Sequence, residues 1–128
     1  MQGDNENVLK KVYFIKRPRE GEELVTLLKN KFKTIDAIRD VLGWYREGRE
    51  FAVDLTAMEG AKAKDKEREK DDNLRFEVTR YTASSENNRS VLGAIGHILN
   101  WLDGERVFDI SLVPRDGHGA GPLGAGLN

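Results

Sequence analysis

Residues 50–58 read EFAVDLTAM. Phe51, Val53, Leu55 and Ala57 fall on one side of an extended chain; Ala52, Asp54 and Thr56 fall on the other. A period of two with one apolar side is the pattern of a strand buried on one face. Residues 74–82, LRFEVTRYT, repeat it, with Leu74, Phe76 and Val78 set against Arg75, Glu77, Thr79 and Tyr81. Two such strands in succession, with helical spacing before and after them, decide the fold.

Upstream, VLKKVYFIKRP is rich in β-branched and aromatic residues and is stopped by Pro18, which predicts a strand near 8–16. Between it and Phe51, Leu24, Leu28, Phe32, Ile35, Ile38, Leu42 and Tyr45 recur every three or four residues. That spacing predicts an apolar stripe on a helix near 22–46. Glu20, Glu22 and Glu23 suit its first turn, and Gly48 suits its end. Thr34 is placed to cap a second segment, so one long helix or two in series are both open.

Downstream, Ser84 or Ser85 is the expected N-cap of a helix near 86–102, with Val91, Ile95, Ile98 and Leu102 as its stripe, broadened by Leu92 and Leu99, and Gly104 just past it. RVFDISLV then predicts a last strand near 106–113. No internal repeat is evident. The order β-α-β-β-α-β is the ferredoxin-like split βαβ pattern, an α+β fold with a four-stranded antiparallel sheet and two helices on one face. The expected strand order is 4-1-3-2. Phe14, Phe51, Phe76 and Phe108 are the expected core, with Phe32 and Ile98 packed on them. Residues 1–7 read as a polar tail, 8–113 as the domain, and 114–128 as a Gly-rich tail.

A chain of 128 residues suits one domain and needs no staple. It has no cysteine, which excludes disulfides, thiolate metal sites and Cys nucleophiles. No apolar run approaches the roughly 20 residues of a membrane helix. The polar start, MQGDNENVLKK, is unlike a signal peptide. The expectation is therefore an intracellular protein with no membrane partner. Net charge is −1, so any nucleic-acid role has to come from a local patch.

Residues 60–73, GAKAKDKEREKDDN, supply one such patch. Lys62, Lys64, Lys66, Arg68 and Lys70 are all even; Asp65, Glu67, Glu69 and Asp71 are all odd. Opposite charges at i,i+3 favour a helix, and like charges at i,i+4 oppose it. A solvated loop, a two-stranded arm with one basic edge and a short helix remain as alternatives.

Other chemistry is sparse. GAGPLG at 119–124 matches a dinucleotide-binding glycine pattern, yet Pro122 interrupts it and no helix follows. Asp54, Glu77 and Asp109 share the expected open face, but the expected strand order spaces them too widely for one cation. His97 and His118 have no visible nucleophile or ligand partner. Mid-helix Gly93 and Gly96 suggest that something approaches closely, the first helix or a partner. No cofactor, metal or catalytic residue is expected.

Tyr13, Ile15 and Tyr81 are expected on the open sheet face, where aromatics can stack bases or meet a second subunit. With Arg75 and the basic edge Lys62, Lys64, Lys66 and Arg68, they form the candidate binding set. The expected function is a non-catalytic interaction module, homodimeric through that face and the charged run or bound to another protein. The alternative is a nucleic-acid-binding protein using the same surface. An enzyme with an unassigned site is the third reading.

Overall fold

The computed structural model describes residues 9–58 and 72–115. Lys62, Lys64, Lys66, Arg68, His118 and the 119–124 glycine pattern lie outside them. The elements are β1 (Lys11–Ile15), α1 (Glu23–Arg46), β2 (Phe51–Ala57), β3 (Asn73–Val78), α2 (Ser84–Asp103) and β4 (Phe108–Pro114). The expected β-α-β-β-α-β order is present, and the four strands form one antiparallel sheet with both helices on one face. α1 is one uninterrupted helix; Thr34 lies buried inside it and caps nothing. α2 begins after Ala83 with no side-chain cap, so neither serine takes the expected N-cap role.

The strand order is β1-β4-β2-β3, which corrects the expected 4-1-3-2. Both orders split each βαβ unit with an antiparallel strand. They differ in which strands sit at the centre. β2 and β4 bury nearly every apolar side chain, whereas β1 and β3 carry most of their residues exposed or half-exposed. Charged, short strands such as KVYFI and NLRFEV are suited to edges, where unpaired backbone meets water.

Phe51, Val53, Leu55, Phe108, Ile110 and Leu112 point to the helices and are fully buried. Ile98 joins them as expected, and Phe76 is half-buried against the same cluster. Two expected core residues do not. Phe14 lies on the open side of β1, and Phe32 is 64% exposed on α1. β1 is inverted relative to expectation: Tyr13 and Ile15 pair with Ile110 and Phe108 and face the helices, leaving Val12 and Phe14 outward. Both parities of β1 are apolar, so alternation alone could not choose between them.

The chain is built as two β-α-β halves related by a two-fold axis, contrary to the expectation of no repeat. Trp44 stacks edge-on against Phe51 with centroids 5.4 Å apart, and Arg49 lies 4.5 Å over the Trp44 ring. Trp101, Phe108 and Arg106 repeat this at 5.2 and 4.3 Å. Each member is 57 residues from its counterpart (101 − 44, for example). Both helices end in the same Schellman hydrogen bonds. Gly48 N donates to Tyr45 O and Arg49 N to Trp44 O; Glu105 N donates to Leu102 O and Arg106 N to Trp101 O. Gly48 and Glu105 hold the left-handed position, at φ 78° and 58°.

Strand register obeys the same operation. Asp54 pairs with Ser111, its own counterpart, so the axis crosses the sheet between them. The Tyr13–Ile110 pair maps onto Phe76–Val53. In each helix an asparagine closes the end of the preceding strand. Asn30 Nδ2 donates to Lys16 O at 2.8 Å while Lys16 N donates to Asn30 Oδ1 at 3.1 Å. Asn87 does the same for Thr79, at 2.7 and 3.3 Å. Backbone groups just beyond each edge strand are thereby paired.

Candidate functional site

The repeat explains which face of each helix turns inward. In α1 the buried residues are Asn30, Thr34, Ala37, Val41 and Trp44. In α2 they are Val91, Ala94, Ile98 and Trp101, with Asn87 one turn earlier. These are the same positions in the two halves. The asparagine ties the helix to the preceding strand, the alanine permits close approach to the sheet, and the tryptophan covers the phenylalanine of the next strand.

The consequence for α1 is an inversion. Most of the predicted apolar stripe, with Phe32 of the expected core, faces outward: Leu24, Leu28, Phe32, Ile35 and Leu42 are all exposed, with Val25 beside them. Only Ile38 and Tyr45 of that stripe are packed against the core. On a helix the stripe centred on Leu28 and Ile35 lies well around the cylinder from the one centred on Ala37 and Val41. Leu92 and Leu99, expected to broaden the α2 stripe, are also exposed, at positions equivalent to Ile35 and Leu42. α1 and α2 pack side by side and run antiparallel. The outer surface of the helical layer therefore carries apolar side chains from both helices. Scattered exposed leucines are ordinary; a row along one helix joined by a second row is a patch that calls for a partner.

Gly96 belongs to this outer surface, with nothing within 4 Å of where a Cβ would stand. Gly93 faces the other way: a Cβ there would meet the Phe76 ring at 3.4 Å. The close approach expected at these glycines thus comes from β3, not from α1. His97 is exposed, its ring centre 5.5 Å from that of Phe76.

Of the residues proposed from the sequence, the four that the structure describes, Tyr13, Ile15, Arg75 and Tyr81, do not converge. Tyr13 is on the helix side, where its hydroxyl donates a hydrogen bond to Asp40 of α1 and Lys11 reaches the same carboxylate. Burial, followed by that hydrogen bond, holds the phenol well above its ordinary value. Ile15 is buried in the core. Tyr81 lies beyond the end of β3, in the turn leading to α2, and is 92% exposed. Arg75 is on the open face, as expected. It forms a bidentate pair with Asp54, at 2.7 and 2.8 Å, and this pairing raises it above its ordinary value. Glu77 lies 3.6 Å from Arg75 and 3.2 Å from Arg115.

The open face is thus a chain of alternating charges at the β3 side and an apolar strip, Val12 and Phe14, at the β1 edge. Asp109 sits on the strand next to Asp54, closer than the expected order put it. Even so, among the described residues no group of three His, Asp or Glu side chains converges to hold a metal ion. Among the same residues no helix is long and apolar enough to cross a membrane.

The outer helical patch is visible in the sequence as a stripe, and the structure turns it away from the core to the outer side. The signal that separates the two is the matched spacing of Asn30, Ala37 and Trp44 with Asn87, Ala94 and Trp101. No family model matches the chain, and no curated protein or solved structure matches it either.

Proposed function

We propose that this chain is a non-catalytic protein-interaction module whose working surface is the outer face of the α1–α2 layer. One observation carries the reading. The more apolar of the two stripes on α1 faces water, while a stripe containing an asparagine and a threonine is buried. The solvent-facing surface of these leucines and of Phe32 gains nothing for the isolated fold, whereas full burial of such a side chain is worth about 1.5–3 kcal/mol. The open sheet face is the weaker candidate. Its β3 half is occupied by internal ion pairs, and its apolar strip is limited to one edge strand.

The test uses serine at Leu28, Phe32 and Leu92, singly and together, in dilute solution. Urea unfolding of the variants is expected to match the parent to within about 0.5 kcal/mol, as for surface positions. Binding of a dye that reports exposed apolar surface is expected to fall. A loss of several kcal/mol in the single variants would show that the chain covers this face itself, and the reading would be wrong.

A further inference from the structure

We infer that the occupant of the helical face is a second copy of this chain, docked face to face so that two helical layers pack between two outward sheets. This inference rests on the reading of that face as a docking surface. Symmetry and size both point to a copy.

The internal axis that crosses the sheet between Asp54 and Ser111 continues between α1 and α2. Around it Ile35 and Leu92, and Leu42 and Leu99, are related pairs, all exposed. A face with its own two-fold looks the same after half a turn. Laid on an identical face about a perpendicular two-fold, it sets apolar rows against apolar rows, the self-complementarity a symmetric dimer requires. The match is not perfect, because the second half carries Ser85 and Arg89 where the first has Leu28 and Phe32. The richer row on α1 then gains most from facing the same row on the copy.

From Leu24 to Leu42 the row runs about 27 Å at 1.5 Å per residue, and two adjacent helices are roughly 20 Å wide. That is about 540 Å² in projection, before the relief of the side chains is added. Stable dimers bury about 800 Å² on each partner, and small specific interfaces about 600 Å². A sheet face of four strands of five to seven residues projects to about 400 Å². The helical layer, once side-chain relief is added, comes near the lower of these interface sizes, and the sheet face falls further short.

Sedimentation equilibrium of the full chain, from low to high micromolar, is the test. The expected mass rises to twice the 14.5 kDa of one chain. The double variant Phe32→Glu, Ile35→Glu, which places two charges at the centre of the row, is expected to weaken association at least about a hundredfold. Its circular dichroism should stay that of the parent. Phe14→Glu, on the open face, is expected to remain dimeric. A parent that stays monomeric overturns the inference, as does a double variant that still dimerises or a Phe14→Glu variant that does not. The dye experiment separates the two readings. A monomer that binds dye through Phe32 and Leu28 keeps the docking surface and loses the second copy; a monomer that binds none loses both.

Discussion

Thr34 is buried in the core face of α1, and its hydroxyl has no hydrogen-bond partner. Its counterpart in the second half is Val91, equally buried. The structure therefore carries an apolar solution to the same packing problem, and Thr34→Val transfers it. The two side chains have nearly the same volume and both branch at Cβ, so neither a cavity nor a rotamer change enters. What changes is the hydroxyl, whose burial without a partner costs roughly 1–3 kcal/mol in protein variants. Part of that is offset because a threonine hydroxyl can turn toward a helix carbonyl, which leaves an expected gain of about 1 kcal/mol. For a chain of this length the midpoint should rise by about 3–5 °C. Urea unfolding with an unchanged slope reads the gain directly. The reciprocal Val91→Thr should lose about 1–3 kcal/mol. If Thr34→Val instead destabilises by more than about 0.5 kcal/mol, the hydroxyl has a partner, and the equivalence of the two positions is broken in the way that matters for packing.

The repeat makes a second exchange at the helix ends: Glu105→Gly should stabilise by about 1 kcal/mol in denaturant unfolding, since Glu105 holds the left-handed conformation that glycine holds at Gly48. Asn30→Ala should cost about 2 kcal/mol in the same assay, because it strands the N–H and C=O of Lys16, and Asn87→Ala should cost a similar amount at Thr79. Tyr13 supplies a pH dependence. Its pKa is raised in the fold above the ordinary value of 10.0, so the neutral phenol is favoured and its contribution is intact below that pH. The contribution is lost as pH rises through the alkaline range toward the folded value. Stability of the parent should fall there more steeply than that of Tyr13→Phe, and ultraviolet titration should find one phenol that resists ionisation.

Much of the fold was legible because three strands alternate without ambiguity. Phe51, Val53 and Leu55 in β2, Leu74, Phe76 and Val78 in β3, and Phe108, Ile110 and Leu112 in β4 all turn inward where the period of two puts them. β1 was not legible, since Val12 and Phe14 compete with Tyr13 and Ile15, and the hydrogen bond from Tyr13 to Asp40 that helps fix its sense is a contact between distant segments. Strand order was open for a different reason: antiparallel pairing allows either arrangement of two split βαβ units, and only the polarity of β1 and β3 argues for the edges. The candidate surface was half legible. Its residues stood out as a helical stripe, but hydrophobicity alone assigns the greasier side to the core. Here the inward side is set by shape and hydrogen bonding, through Asn30, Ala37 and Trp44, and that became readable only when the second half showed the same three residue types at the same spacing.

The claim that the greasier stripe of α1 faces outward is tested most directly by thiol reactivity, because the chain has no cysteine of its own. Single variants Leu28→Cys and Ala37→Cys lie on opposite sides of α1, one exposed and one fully buried. In dilute native solution the thiol at 28 should react with a small alkylating reagent at the rate of an unhindered cysteine. The thiol at 37 should be protected until the protein unfolds. Protection at 28 together with rapid reaction at 37 would contradict the account and return the stripe to the core.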